Sequence, residues 1–285
     1  MNRLAENRWL ITGAGGGLGL EIAKCVLERG GEVVGSVRSR DAAQRFAALA
    51  PGRSHAVMFD VRDETAVRDG VAEAQRLLGQ VDVAVNNAGY QLVGAVEELS
   101  LEELRAQFEV NVFGAHSVIK AVLPAMRSRG GGTIVNITSV SGLATWAGTG
   151  AYCASKFALE AIGQTLAQEV QPLGIRVMHV EPGGLRTGFT ERSTHRAQRR
   201  LDAYVDTAHQ SEAIIERYRG QEPGDPCRAA AAIVDALQAD EPPLHLLLGN
   251  DALFYYGRKA GSLQQEIAKW APVSTSIAVD AEVDG

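Results

Sequence analysis

The 285-residue sequence has few of the residues on which disulfide-rich, metal-binding and membrane proteins depend. Its three cysteines, Cys25, Cys153 and Cys227, are odd in number and widely spaced, so neither a disulfide framework nor a zinc site is indicated. The six histidines show no ligand spacing, and we predict no catalytic metal. No apolar run approaches the roughly 18 residues of a membrane span, and the first residues do not resemble a signal peptide. We therefore expect a cytoplasmic protein without a membrane partner.

The chain also lacks an excess of positive charge. Its net charge of −6 and its pI near 5.6 argue against nucleic acid as a partner, because such binders normally carry a basic surface. Aromatic residues make up only 6% of the chain, whereas apolar residues make up 46%. This length and composition suit one large α/β core.

Apolar runs alternate with amphipathic stretches along the chain. Strands are predicted at 8–12, 32–37, 56–60, 81–86, 132–138, 175–181 and 244–248, and helices at 17–29, 41–50, 63–78, 100–129, 151–171 and 226–239. This order predicts an α/β fold of the Rossmann type, a doubly wound parallel sheet of about seven strands with helices on both faces. We expect a single domain over residues 1–270 and a loosely ordered tail over residues 271–285.

A glycine-rich turn follows the first predicted strand. Gly13, Gly17 and Gly19 give the spacing Gly-x-x-x-Gly-x-Gly, and the helix of residues 17–29 begins at this turn. The missing side chains let a dinucleotide's pyrophosphate approach the backbone, and the helix N-terminus offers N–H groups and a partial positive charge. The pattern predicts a phosphate cradle; the alternative is a glycine-rich loop with no ligand.

Tyr152 and Lys156 are four residues apart in a predicted helix and therefore lie on one face. A free tyrosine has a pKa near 10, and a cation about 4 Å away can lower that value. The pair indicates a tuned proton donor and acceptor. Without other motifs, the alternative is a half-exposed aromatic ring beside a solvated lysine.

Six motifs follow one another in the order and at the intervals of the classical short-chain dehydrogenase/reductases, which the chain resembles over roughly residues 5–250. They are Thr12–Gly19, Asn86–Gly89, Asn111, Ser139, Tyr152-x-x-x-Lys156 and Pro182-Gly183. The resemblance implies an NAD(P)-dependent oxidoreductase that interconverts a small-molecule ketone or aldehyde and an alcohol. It also implies a homodimer or homotetramer assembled through helices 100–129 and 151–171.

The resemblance implies roles for four side chains. Ser139 holds and polarises the substrate oxygen, and Tyr152 exchanges a proton with it. Lys156 lowers the pKa of Tyr152 and bonds the nicotinamide ribose, and Asn111 holds a water that links Lys156 to solvent. Thr138 and Ser141 also carry a hydroxyl group that could hold the substrate oxygen, and only the spacing favours Ser139. A structural role is the alternative for Asn111.

The end of the second predicted strand indicates the cofactor. An acid there would bond the ribose 2′-hydroxyl of NAD, but the position is held by Val37, with Arg38 next. A bond from Arg38 to a 2′-phosphate is worth about 1.5–3 kcal/mol, so we predict NADP(H) over NAD(H), with NAD(H) possible. The alternative is that Arg38 stacks on the adenine or faces solvent. The cofactor-binding residues that the resemblance implies are Thr12, Gly13, Gly17, Leu18, Gly19, Arg38, Asp60, Val61, Asn87, Ala88, Gly89, Tyr152, Lys156, Pro182, Gly183 and Thr187.

Two of these residues have structural alternatives. Asp60 stands at a strand end and could cap the next turn, and Thr187 could be a simple helix N-cap. Both alternatives are compatible with contact to a cofactor.

Residues 188–224 fall where the resembled family places its substrate-covering segment. Arg192, Arg196 and Arg200 recur at i, i+4 and i+8, which predicts a basic helical stripe. Such a stripe faces water or pairs with acids, or it meets an anionic group on the substrate.

Two other function classes remain. A dinucleotide-sensing regulator needs the cradle but not the acid/base, so the intact Ser139, Tyr152 and Lys156 argue against it. An epimerase or dehydratase with a recycled cofactor would form product without net cofactor change.

Overall fold

The seven predicted strands form one parallel sheet in the computed structural model, which describes residues 8–279. The strands are β1 (Arg8–Ile11), β2 (Glu32–Val37), β3 (Ser54–Met58), β4 (Val83–Asn86), β5 (Gln91–Val93), β6 (Gly132–Ile137), β7 (Ile175–Pro182), β8 (Thr194–Arg196) and β9 (His245–Leu248). Their order in the large sheet is β3-β2-β1-β4-β6-β7-β9, and every pairing is parallel. The remaining strands, β5 and β8, pair with each other in a small second sheet. The predicted fold is therefore confirmed.

Helices cover both faces of the large sheet. They are α1 (Gly17–Glu28), α2 (Arg40–Ala47), α3 (Glu64–Leu78), α4 (Leu101–Phe108), α5 (Ala115–Arg129), α6 (Gly150–Val170), α7 (Phe189–Arg192), α8 (Ala208–Arg217), α9 (Pro226–Gln238) and α10 (Asn250–Thr275). Successive strand side chains point to opposite faces. Trp9 and Ile11 of β1 accordingly pack with α1 and α9, whereas Leu10 packs with α3, α5 and α6. Parallel strands buried on both faces require the continuous apolar runs seen in the sequence.

Local chemistry sets where several helices begin. Ser39 accepts a hydrogen bond from the backbone N–H of Ala42 and caps α2, and Asp63 caps α3 in the same way. Ser100 and Glu103 form a reciprocal capping box at the start of α4. These caps satisfy N–H groups that the first helical turn leaves without intrahelical partners.

The stretch predicted as one helix over 100–129 is divided in the structure. Between α4 and α5, residues Glu109–Gly114 form a π-helical turn. A Cβ atom added at Gly114 would lie 2.8 Å from the Cβ of Val61, so this turn packs closely against the chain that follows β3. A π turn widens the helix locally and is frequent at functional sites.

The C-terminal part also differs from the prediction. Helix α10 was not predicted, and it runs to Thr275, so residues 271–275 are helical rather than part of a loose tail. Residues 280–285 of that tail, like residues 1–7, lie outside the described part. None of the helices over residues 8–279 is both long and apolar enough to cross a membrane.

Candidate active site

The glycine turn between β1 and α1 is shaped to receive a ligand at the helix N-terminus. Gly13 and Gly17 have φ angles of 65° and 59°, in the left-handed region that favours glycine. Helix α1 begins without a side-chain cap, and its first residues, Gly17 and Leu18, line the adjoining cavity. A Cβ atom at Gly16 would meet nothing nearer than the Arg192 guanidinium at 3.8 Å. The turn therefore fits a dinucleotide diphosphate.

Thr12 and Asn87 tie this turn to the end of β4. The Thr12 hydroxyl accepts hydrogen bonds from the backbone N–H groups of Asn87 (2.9 Å) and Ala88 (3.0 Å). The Asn87 amide donates to the Thr12 carbonyl at 2.8 Å. Gly19 packs so tightly on this amide that an added Cβ would collide with it. The two motifs thus form one rigid unit, and the hydroxyl of Thr12 is engaged within it.

A cavity of about 1510 Å³ joins the glycine turn to the predicted catalytic residues. The predicted residues that line it are Gly13, Gly17, Leu18, Arg38, Asp60, Val61, Asn87, Ala88, Gly89, Ser139, Tyr152, Lys156, Pro182, Gly183 and Thr187. Thr12, Gly19 and Asn111 do not line the cavity, but each contacts residues that do. The structure therefore brings together, at the carboxyl ends of the strands, residues far apart in sequence.

Arg38 and Asp60 lie at one end of this cavity. Arg38 is exposed, and no acid occupies the end of β2, where Val37 is buried. Asp60 forms an ion pair with Arg62 at 2.6 Å and accepts the backbone N–H of Arg62 at 3.0 Å. The hydrogen bonds from Arg62 lower the pKa of the Asp60 carboxyl. Asp60 thus caps the turn after β3, which is the structural role given above as the alternative to cofactor contact.

The turn after β7 carries Pro182, Gly183 and Thr187. The Thr187 hydroxyl accepts the backbone N–H of Phe189 at 3.2 Å, but the N-cap of α7 is Gly188, so Thr187 is not a simple N-cap. Asp251 at the start of α10 accepts the N–H of Gly184 at 2.7 Å and fixes this turn. The sequence interpretation missed Asp251, which also lines the cavity.

Ser139 is buried beside Tyr152, directly after β6. Its hydroxyl accepts the N–H of Ser141 at 3.0 Å and donates weakly to the Pro182 carbonyl at 3.5 Å. The rival Thr138 donates its hydroxyl to the Val180 carbonyl at 3.0 Å, in the sheet. Ser139 also lowers the pKa of Tyr152, against the larger effect of burial, which supports Ser139 over its rivals.

Tyr152 and Lys156 share one face of α6, as their spacing predicted, but the Lys156 ammonium does not point at the phenol. Nζ donates to the carbonyl of Ile137 at 2.8 Å and lies 5.7 Å from the centroid of the Tyr152 ring. Burial raises the pKa of Tyr152 to about 12, against the opposing effect of Ser139. Burial also lowers the pKa of Lys156 to about 8, opposed by the Glu160 carboxylate. The net effect of the protein is therefore to raise the pKa of the tyrosine, because desolvation outweighs the opposing effect of Ser139.

Asn111 lies in the π-helical turn, and its amide makes three hydrogen bonds. It donates to the Tyr90 carbonyl at 2.9 Å and to the Ser155 hydroxyl at 3.0 Å, and it accepts the N–H of Tyr90 at 3.1 Å. A Cβ added at Gly89 would lie 3.1 Å from Asn111 Oδ1 and 3.7 Å from Lys156 Nζ, so the two side chains flank the same glycine. Asn111 has the structural role, and its water-holding role stays a prediction.

The basic helical stripe is not formed. Helix α7 ends at Arg192, and Arg196 belongs to β8, which pairs with β5. Arg196 and Arg200 form ion pairs with Glu212 of α8. Arg192 instead donates to the Thr187 carbonyl at 2.6 Å beside the glycine turn. Of these three arginines, only Arg192 lies beside the glycine turn. Its spacing in the sequence did not predict this position.

An ionisable cluster lies between α6 and the sheet, one helical turn from Lys156; Glu160, His179 and Glu181 are buried, and His245 is exposed. His245 Nδ1 is 2.7 Å from Glu181 and 3.8 Å from Glu160, and His179 Nδ1 is 3.3 Å from Glu160. Ligand atoms of Glu160, Glu181 and His245 lie within 4.8 Å of one another. Burial, reinforced by Glu160, raises the pKa of Glu181 to about 9. Three separate elements supply these residues, so sequence spacing could not have predicted them.

Comparison with known proteins agrees with the fold. The sequence model of the short chain dehydrogenase family matches residues 7–198. Oxidoreductase BOA17 of Botryotinia fuckeliana is 34% identical over 271 residues, which cover 95% of this chain and 98% of that protein. The 3-ketodihydrosphingosine reductase of Bacteroides thetaiotaomicron is 33% identical over 263 residues, 92% of this chain and 95% of that one. The structure of a short-chain dehydrogenase from Streptomyces avermitilis has a TM-score of 0.90 at 39% identity, covering 95% of this chain and 100% of that chain.

Proposed function

Because this chain belongs to the classical short-chain dehydrogenase/reductases, a family of oxidoreductases, we propose that it is an NADP(H)-preferring reductase of ketones or aldehydes. One observation carries the proposal. Ser139, Tyr152 and Lys156 line the same cavity as the uncapped N-terminus of α1. This arrangement combines a dinucleotide cradle with a proton donor, which a purely sensing protein does not need.

The nicotinamide cofactor would supply the hydride when bound. The backbone of Gly13–Leu18 would hold its diphosphate, and Lys156 would bond the nicotinamide ribose. Thr187 would hold the nicotinamide end, and Asn111 would keep the water that links Lys156 to solvent. Arg38 would bond a 2′-phosphate, which favours NADP(H), because no acid at the end of β2 repels that group.

Reduction is the direction that the protonation state of Tyr152 supports. With a pKa near 12, Tyr152 holds its proton at neutral pH and can donate it to a carbonyl oxygen that Ser139 polarises. Oxidation of an alcohol would need the tyrosinate form. The proton donor is therefore ready for reduction, and oxidation is expected to gain rate as pH rises.

The cavity wall indicates a sizeable apolar substrate. Trp146, Phe189, Ile214 and Tyr255 line the cavity, and two of them belong to the segment 188–224 that we propose covers the substrate. Because the relative named 3-ketodihydrosphingosine reductase matches nearly the whole chain, long-chain ketones belong in the first assay panel.

The cofactor preference is tested with Arg38→Ala. Loss of a charge-assisted bond worth about 1.5–3 kcal/mol should raise the KM for NADPH by about ten- to a hundredfold and leave that for NADH nearly unchanged. Arg45→Ala is a matched control, since Arg45 also lines the cavity and pairs with Asp41. Equal KM values for NADH and NADPH in the unaltered protein would contradict the preference.

The reaction class is tested by following NADPH absorbance with long-chain ketones, steroid ketones and aromatic aldehydes. Stoichiometric loss of NADPH and formation of the alcohol support a reductase. Product without net NADPH change would instead show an epimerase or dehydratase. Cofactor binding with no turnover of any substrate would favour a regulator.

A further inference from the structure

Helix α10 leaves the body of the protein after its first turns. Ala252 is buried, and the ring of Tyr255 packs edge-on against Trp146 at 5.3 Å between centroids. From residue 262 to residue 275, however, every residue is exposed. An isolated helix of this length is only marginally stable in water, because most helical stability in proteins comes from packing. The projecting part of α10 therefore needs a surface to pack against.

The apolar side chains of α10 define what that surface must be. Six of them recur at alternating intervals of three and four residues, the heptad spacing of a and d positions in a coiled coil. The stripe consists of Leu253, Tyr256, Ala260, Leu263, Ile267 and Trp270. The exposed fractions of Leu253, Leu263, Ile267 and Trp270 are 59%, 45%, 60% and 52%. A narrow stripe with this period fits another helix.

The charged residues beside the stripe favour antiparallel over parallel pairing. Lys259 and Glu266 occupy successive g positions of the heptad. In a parallel pair each g residue faces the e residue five positions on, so Lys259 would meet Gln264 and Glu266 would meet Ala271. In an antiparallel pair g residues face g residues. Lys259 then meets the partner's Glu266, and Glu266 meets the partner's Lys259.

The same antiparallel register also places the apolar side chains of the two stripes opposite one another in layers. When Ala260 faces the partner's Leu263, Tyr256 faces the partner's Ile267 and Leu253 faces the partner's Trp270. Each layer then combines a smaller side chain with a larger one, and the overlap is about 26 Å long. One two-fold axis relates all these contacts, as a closed homodimer requires.

We propose that α10 pairs in antiparallel orientation with α10 of a second copy of this chain, through the stripe from Leu253 to Trp270. This contact is distinct from the expected assembly through helices 100–129 and 151–171. If both contacts exist, loss of the α10 contact halves the number of chains in the assembly.

The test compares two charged variants of the full chain by light scattering at micromolar concentration. Leu263→Asp/Ile267→Asp places two carboxylates in the stripe, and the matched control Gln265→Asp/Ala268→Asp places them on the other side of the same helix. The control should keep the mass of the unaltered protein, whereas the stripe variant should have half of it. An unaltered protein with the mass of one chain, 30.3 kDa, would overturn the proposal, as would a stripe variant of undiminished mass.

Charge reversal tests the register. Lys259→Glu should weaken association, because it places two carboxylates side by side, and Lys259→Glu/Glu266→Lys should restore it. A double variant no better than the single one would overturn the antiparallel register. Flotation with phosphatidylcholine/phosphatidylglycerol vesicles tests the other use of an apolar helix. Vesicle binding that the stripe variant loses without a change in mass would show a membrane surface, not a second copy.

Discussion

Glu181 offers a quantitative test of the ionisable cluster beneath α6. Its side chain is fully buried, and its Oε1 lies 2.7 Å from Nδ1 of His245. Burial and the neighbouring Glu160 raise its pKa from 4.5 to about 9. The folded protein therefore keeps this carboxyl protonated at neutral pH, whereas the unfolded chain ionises it. Glu181→Gln replaces the protonated acid by a neutral side chain of the same shape.

The sign of the effect follows from linkage. Above pH 4.5 the unfolded chain loses the proton that the folded protein retains up to about pH 9, so stability falls as pH rises through this window. One pH unit corresponds to about 1.36 kcal/mol, and two units therefore to about 2.7 kcal/mol. Because glutamine cannot ionise, the free energy of unfolding of Glu181→Gln should rise relative to the unaltered protein by about that amount between pH 6 and pH 8.

Urea denaturation at pH 6, 7 and 8 measures this difference. Glu241→Gln removes an exposed carboxyl and serves as the control for a change in net charge. A difference between Glu181→Gln and the unaltered protein that stays constant over this range would refute the reasoning. So would a variant that becomes less stable at pH 8, since that would mean Glu181 is ionised and paired.

Three further substitutions and one control, Gly16→Ala, test the site itself. Tyr152→Phe should lower kcat by a factor of about 10²–10⁴, the usual contribution of general acid catalysis, while NADPH binding followed by fluorescence stays nearly intact; lost binding would show a structural residue. Lys156→Ala should weaken NADPH binding and lower kcat together, because one side chain serves both the ribose and the phenol. Gly19→Ala should lower the free energy of unfolding by about 1–3 kcal/mol, because its Cβ collides with Asn87. Gly16→Ala, whose Cβ would make only an ordinary van der Waals contact with the Arg192 guanidinium at 3.8 Å, should leave thermal stability nearly unchanged.

The fold could be predicted because buried parallel strands and their helices leave strong patterns. The predicted strands and helices from residue 8 to residue 248 agree with the structure within about two residues at most ends. Helix α10 was missed, because it follows the last strand and adds no further strand to the alternation on which the prediction rested. The π-helical turn at Glu109–Gly114 was also not predicted.

Residue spacing failed where tertiary pairing decided the local structure. Arg192, Arg196 and Arg200 have helical intervals, yet pairing between β5 and β8 makes Arg196 part of a strand. Glu160 and Glu181 come from α6 and β7 and meet only because the helix packs on the sheet. Such meetings depend on the three-dimensional path of the chain and not on distance along it.

For Tyr152 and Lys156, the sequence predicts the positions of the side chains but not their pKa values. The four-residue spacing placed both side chains on one face of α6, which the sequence alone determined. Their proton affinities depend on burial, which raises the pKa of the phenol to about 12 and lowers that of the ammonium to about 8. Since Lys156 is held on the Ile137 carbonyl, the chain by itself favours a neutral tyrosine. Lowering the pKa of Tyr152 therefore has to come from what the cavity binds, and the positive charge of an oxidised nicotinamide has the required sign. The tyrosine should accordingly be a stronger acid in the oxidised complex than in the free protein, which couples the proton transfer to the hydride transfer.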